Sequence, residues 1–505
     1  MLARLQSMAL SGIDGIGCEI EVDCASRGFA TAIIVGLPDT AVKESLERVR
    51  SALKNSGYTW PQYKTVVNLA PADVRKEGPA FDLPIALGMI FAGGEGSPPR
   101  VAEYLIAGEL ALDGRVRPIK GALSMAMLAR QRKLAGVIVP RANAPEAAVV
   151  HDIEVIGIET LAEAVGFLTD QLPLEPTVLD IDAVFAEAAK YEIDFAEVRG
   201  QELVKRALTI AASGGHNILL IGPPGTGKTM LSKRLPTILP SLTLAESLET
   251  TRIYSAAGKL SPEQSLMAKR PVRSPHHSAS GPALVGGGSI PKPGEVSLAH
   301  HGILFLDEFP EFSRSILETL RQPLEDGVVT IARSHSSICF PARFLLIASM
   351  NPCLCGFLTD PAKVCKCSPA QIERYLSRVS GPLIDRIDLH VEVPPVPFRE
   401  LRGGVPGTSS DDLREQVLQA RQVQRKRFGE KSTTLNAAMS AKQVRTHCEI
   451  DDAGEQVLKQ ALAEFGLSAR AHDKILRVSR TIADLADDAR IKPDHISEAI
   501  MYRRL

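Results

Sequence analysis

NILLIGPPGTGKTMLSKRL, residues 217–235, sets the architecture of the middle of the chain. Ile218 to Ile221 form a short continuous apolar run, the pattern of a strand buried on both faces. Gly222-Pro223-Pro224-Gly225-Thr226-Gly227-Lys228-Thr229 then fits G-x-x-x-x-G-K-[ST], and MLSKRL continues as a helix. In that context the glycines let backbone N–H groups curl around a phosphate at a helix N-terminus. Lys228 offers a point charge to the β- and γ-oxygens of ATP, and the Thr229 hydroxyl can hold Mg²⁺. Downstream, GILFLDEF (302–309) and RFLLIASMN (343–351) repeat the buried-strand signal with helical stretches between, which predicts a parallel sheet with crossover helices. The first of these ends in Asp307 and Glu308. At the carboxyl edge of a parallel sheet, Asp307 is expected on Mg²⁺ and Glu308 is expected to polarise the attacking water. The second ends near Asn351, either a sensor of the γ-phosphate or a turn asparagine.

Working outward, the first ~165 residues mix β-rich runs (EIEVDC, ATAIIVGL, TVVNLAP) with an amphipathic helix, AVKESLERVRSALKNSG, and read as α/β. Between Asp152 and Arg199 stand twelve acidic and two basic residues, with Pro173 and Pro176 among them, the composition of a solvated connector. Beyond the Pro- and Gly-rich stretch 394–410, Leu413, Val417, Ala420 and Val423 open a helix-spaced series that runs almost to Leu505. The expected domains are therefore 1–170, a linker 171–195, a nucleotide core 196–395 and an all-helical unit 396–505. The charge balance, 58 Lys and Arg against 59 Asp and Glu, gives no chain-wide attraction for phosphate polymers or anionic membranes, so a nucleic-acid surface must be local. No window has the 18 apolar residues of a membrane span and the start lacks a secretion-signal core, which points to the cytoplasm.

Four of the eight cysteines lie within 15 residues: Cys353-x-Cys355, nine residues, Cys365-x-Cys367. Two such knuckles can make a tetrahedral structural Zn²⁺ site; free reduced thiols and redox pairing are the alternatives. About residues 270–300 form a Gly- and Pro-rich insertion with Arg270, Arg273, His276, His277, Lys292, His300 and His301. It is either a phosphate-contacting loop or a packing loop. VVTIARSHSSICFPARF can form a hairpin with Arg333, Ser334 and His335 near its tip, and Arg421, Arg425, Lys426 and Arg427 make a basic helix end.

These motifs, with Gly381-Pro-Leu-Ile-Asp385-Arg386-Ile-Asp388, resemble the AAA+ ATPases of the magnesium-chelatase-like branch. SPHHSASGPALVGGGSIPKPGEVSLAHHGILFLDE, NPCLCG, ERYLSRVSGPLIDRID and SRTIADL are similar to the YifB/ComM family over essentially the whole chain. Its members are hexameric ring ATPases and include a branch-migration helicase that extends recombination intermediates in natural transformation. The resemblance implies an AAA+ P-loop core and a helical lid. Asn351 takes the sensor-1 role, Arg386 that of the arginine finger reaching a neighbour's ATP, and Arg470 of LSARAHDKILR that of the sensor-2 arginine. It implies ATP and Mg²⁺ as ligands, branched or single-stranded DNA as substrate, and recombination proteins as partners. An ion pair with Asp385 or Asp388 is the other use for Arg386, and Arg378 is the rival finger. RKEGPAFDLPIALG (75–88) and the segment 108–140 resemble the Lon-protease-like (ribosomal S5 domain 2-like) fold, found also in the RadA recombination protein. Ala80 stands where that protease has its serine and Lys120 is a remnant of the partner lysine, so no acyl-enzyme can form. A chelatase-like protein-remodelling ATPase, or a regulatory scaffold, is the other functional class.

Overall fold

The computed structural model describes residues 1–505 apart from 28, 95–97, 262, 289–290, 333–336, 398–406, 431, 467 and 504–505. Two compact units result, one comprising Met1–Glu187, Thr243–Ala268 and Ala332–Phe340, the other Ala188–Leu242, Lys269–Ile331 and Pro341–Leu505.

The first unit is built on a seven-stranded sheet. Its strands are β1 (Leu2–Ser11), β2 (Asp14–Cys24), β3 (Ala32–Val35), β4 (Thr65–Ala70), β5 (Tyr104–Ile106), β6 (Gly136–Pro140) and β7 (Glu154–Ile158), in the order β3-β4-β2-β1-β5-β6-β7. β1 and β2 pair antiparallel, as do β2 and β4, while β3–β4 and the β1-β5-β6-β7 half are parallel. Alternation along the strands supplies both faces with apolar side chains. Leu5, Ile20 and Val22 join a core with helices α1 (Thr40–Asn55) and α2 (Asp82–Gly93). Met8, Leu105 and Val137 join another with α3 (Ala122–Gln131). Helix Leu244–Ala257 opens with a Thr243/Glu246 capping box. Near its end, Ser255 donates to the buried Glu146 carboxylate and accepts the Gly121 N–H.

The second unit carries an all-parallel sheet: β8 (Ile218–Ile221), β9 (Val272–Arg273), β10 (Ile303–Leu306), β11 (Leu345–Met350) and β12 (Leu389–Glu392), ordered β9-β10-β11-β8-β12. Its central runs are buried on both sides, which is why they read as continuous Ile, Leu and Phe. Leu219, Leu304, Leu306 and Leu346 face one core. Ile218, Leu220, Phe305 and Ile347 face the other, shared with α4 (Glu202–Gly214) and the C-terminal helices. Past the P-loop helix α5 (Lys228–Arg234), those are α6 (Ser410–Phe428), α7 (Ala441–His447), α8 (Asp452–Phe465), α9 (Ala469–Leu485) and α10 (Pro493–Met501). The mostly parallel α/β core agrees with the sequence expectation. No helix among the described residues is long and apolar enough to cross a membrane.

Candidate nucleotide site

Sheet order places the site. β8 lies between β11 and β12, with β10 beyond β11, so the P-loop, Asp307 and Asn351 all emerge at the carboxyl edge of adjacent strands. Gly227 has φ +88°, a left-handed conformation that a side chain would strain, and it turns the chain directly into α5. Lys228 is buried, and its ammonium donates to the carbonyls of Gly222 at 2.7 Å and Pro223 at 2.8 Å and reaches Asn351 Oδ1 at 3.4 Å. Burial pulls its pKa down, and the Asp307 carboxylate opposes that pull.

Asp307 is gripped from two sides. Thr229 Oγ1 donates to its Oδ2 at 2.8 Å, while Ser349, the penultimate residue of β11, donates to Oδ1. A carboxylate flanked by a hydroxyl is the hard-oxygen donor set that Mg²⁺ takes, so these residues fit the ion. Glu308 adopts a left-handed backbone, φ +53°, and its side chain is 60% exposed, with Oε2 3.2 Å from Nδ1 of His277. The His277 ring stacks near His276, with centroids 4.0 Å apart, and meets Phe312 edge-on. Sequence reasoning missed both Ser349 and the His277–Glu308 contact; the SPHHSASG run signalled a histidine but not its partner.

The structure thus brings together Lys228, Thr229, Asp307 and Asn351, with Glu308 directly after Asp307. Arg386 and Arg378 are paired with other carboxylates of the chain. Arg386 is only 11% exposed in its side chain and donates to the Pro382 carbonyl at 2.6 Å and to Glu325. Its ion-pair partner is therefore Glu325 of its own chain, not Asp385 or Asp388. Arg378 pairs with Glu311 at 2.7 Å and is 44% exposed. Arg470 lies exposed in the first turn of α9.

The four cysteines converge. The Sγ atoms of Cys353 and Cys355 are 3.4 Å apart, those of Cys353 and Cys365 3.7 Å, and those of Cys355 and Cys365 3.6 Å. Cys367 Sγ completes a set whose ligand atoms all lie within 4.8 Å of one another and accepts the Cys355 N–H at 3.4 Å. A tetrahedral zinc with Zn–S of about 2.3 Å has S···S edges of about 3.8 Å, so the set fits Zn²⁺. Hydrogen bonds from the Phe357 and Lys366 amides pull the Cys355 thiol down to about 6. The knuckle also borders the P-loop, since a Cβ on Gly356 would sit 2.8 Å from the Pro224 ring.

Several cations of the 270–300 insertion and of the basic helix end have partners within the chain. Arg270 donates to the carbonyls of Pro240 at 2.7 Å and His301 at 2.6 Å. Arg273 pairs with Glu295, and His300 is buried, accepting the Arg343 N–H. Their electrostatic capacity goes to holding the insertion in place, while His276 and Lys292 are exposed. Arg421 donates to the Ala212 carbonyl and Arg427 to Asp484, leaving Arg425 and Lys426 as the exposed part of that helix end. Arg333, Ser334 and His335 lie outside the described residues. In the first unit the Ala80 carbonyl accepts the Gly108 N–H, and the exposed Lys120 lays its stem against Gly258.

The fold and site define a P-loop protein of the AAA+-like magnesium-chelatase kind. Residues 194–401 match the family described as magnesium chelatase, subunit ChlI; residues 20–143 match subunit ChlI of Mg-chelatase, and residues 407–503 match the ChlI C-terminal family. Over 508 residues, all of this chain and 98% of the relative, it is 44% identical to competence protein ComM of Haemophilus influenzae. It is 42% identical to YifB of Escherichia coli over 510 residues, 100% of this chain and 97% of that one. The magnesium-chelatase 38 kDa subunit of Cereibacter sphaeroides is 29% identical over 182 residues, 32% of this chain and 54% of that subunit. The chain belongs to the YifB/ComM family.

Proposed function

We propose that the chain is an ATP-hydrolysing AAA+ motor that acts on branched DNA, a branch-migration helicase serving recombination of incoming DNA in natural transformation. The observation that carries the reading is the Thr229–Asp307–Ser349 cluster beside Lys228 and Asn351, on the carboxyl edge of an all-parallel sheet. Full-length likeness to a competence protein supports the DNA part of the reading. Lys228 and the P-loop amides hold the β- and γ-phosphates, Asn351 orients the γ-phosphate, and Glu308 polarises the attacking water. Thr229 and Asp307 would hold Mg²⁺, which when bound neutralises charge on the phosphate oxygens. Arg386, released from Glu325, acts in trans across a protomer boundary, and Arg470 closes the helical lid over the nucleotide. Head-to-tail contacts of this kind can close a hexameric ring. Residues 1–170 form a Lon-like domain without peptidase chemistry, 171–195 a linker, 196–395 the core and 396–505 the lid. The cysteine knuckles clip their loop with a structural Zn²⁺. The working compartment is the cytoplasm.

A protein-remodelling ATPase is the second reading, favoured by the engagement of Arg270 and Arg273 within the chain itself. ATPase assays with and without branched DNA separate the two. The motor reading expects stimulation in the wild type and no turnover in Glu308→Gln despite retained ATP binding. Absence of DNA binding at low salt, where phosphate contacts are strongest, would select remodelling.

A further inference from the structure

Arg386 sits in a short segment pinned on both sides by the C-terminal helical region. On one side Lys474, one turn beyond Arg470 in α9, donates to Asp388 Oδ1 at 2.7 Å; the two side chains are 15% and 11% exposed. On the other, Arg503 donates to the Ile387 carbonyl at 2.6 Å and reaches Asp385 at 3.5 Å. The second oxygen of Asp388 accepts the Asn217 N–H at 3.0 Å and faces His216 Nδ1 at 3.8 Å. Asn217 in turn accepts the N–H groups of Asp388 and Leu389 on its carbonyl and that of Leu346 on its side chain. His216 Nε2 meets Thr481 Oγ1 of α9 at 2.7 Å.

One carboxylate therefore ties α9 to the roots of β8, β11 and β12, the strands that lead to the P-loop, lead to Asn351 and follow Arg386. Burial pushes the Asp388 carboxyl up, but Lys474 and His216 override it and hold it well below the usual carboxylate range. A buried ion pair contributes little net stability over an apolar pair of equal volume; what it adds is a fixed distance and direction.

We propose that Asp388 and Lys474 are positioning residues for Arg386, forming the joint by which the Arg470 helix sets the place of the arginine offered to a neighbouring protomer. The inference rests on Arg386 acting in trans on ATP. Lys474→Met is expected to lower ATPase turnover at least about tenfold, because a displaced finger forfeits part of the 10³–10⁵ such a group supplies, while KM for ATP stays within about twofold. Lys474→Arg keeps the pair and is expected to restore turnover.

The deciding assay mixes protomers. Lys228→Ala cannot hold ATP but offers an intact Arg386, so mixed with Lys474→Met it should raise activity at least about fivefold above either protein alone. Arg386→Ala mixed with Lys228→Ala is the control. If that control is not rescued, the finger assignment falls and takes the inference with it. If the control is rescued and Lys474→Met is not, the joint alone is overturned, as it is by Lys474→Met turning over like the wild type. Thermal melting checks the fold. Should Lys474→Met fail to fold, Asp388→Asn, which keeps an acceptor for the Asn217 amide, carries the same test.

Discussion

Removing the imidazole beside Glu308 tests whether the carboxylate proposed as general base is held in reserve. His277 Nδ1 lies 3.2 Å from Glu308 Oε2, with side-chain exposures of 35% and 60%. A contact that open to water is worth no more than about 1 kcal/mol, a factor of about five in an equilibrium. In the structure Glu308 is engaged by His277, while Lys228, Thr229 and Asp307 are engaged with one another or with their loop. His277→Ala therefore frees Glu308 at little cost to the fold and should raise ATP turnover in the absence of DNA by up to about fivefold. Stimulation by DNA should shrink by the same factor. A coupled ATPase assay with purified protein, with and without a four-way junction, measures both. A fall in turnover as deep as that of Glu308→Gln would overturn this expectation, because it would mean that His277 places Glu308 for catalysis instead of holding it away.

Ser349→Ala removes one of the two hydroxyl donors to Asp307, so the Mg²⁺ concentration for half-maximal ATPase should rise several-fold while KM for ATP at saturating Mg²⁺ changes little; a magnesium titration checks it. His390 is buried in β12, and burial, helped by Arg503, lowers its pKa from 6.5 to about 4. The unfolded chain binds that proton first, so the contribution, about 3 kcal/mol, is fully present above about pH 6.5 and is lost as the pH falls toward about 4. His390→Phe should flatten the denaturation free energy across that window. Cys353→Ser with Cys365→Ser should bring bound zinc from about one equivalent to below half and lower the melting temperature, as read by metal analysis and a thermal melt.

The nucleotide edge was largely legible because parallel strands buried on both faces cannot alternate. The runs ILLI, ILFL and LLIAS announce themselves, and the residues ending them share one edge by topology alone. The convergence of the cysteines was legible for a similar reason, since four thiols within 15 residues leave few geometries. Long-range pairing was not. Local spacing offered Asp385 or Asp388 to Arg386, yet its carboxylate is Glu325, and Asp388 goes to Lys474, 86 residues away. Likewise a count of cations in the 270–300 insertion could not foresee that carbonyls of Pro240 and His301 would absorb Arg270. Nor does the composition of Thr243–Ala268 reveal that it folds with the first unit.

The proposed motor stands or falls on ATP splitting at this edge doing work on DNA. A labelled four-way junction incubated with the wild-type protein, ATP and Mg²⁺ should dissociate, and should persist with Glu308→Gln or without ATP. Junctions left intact while ATP is hydrolysed at full rate would contradict it.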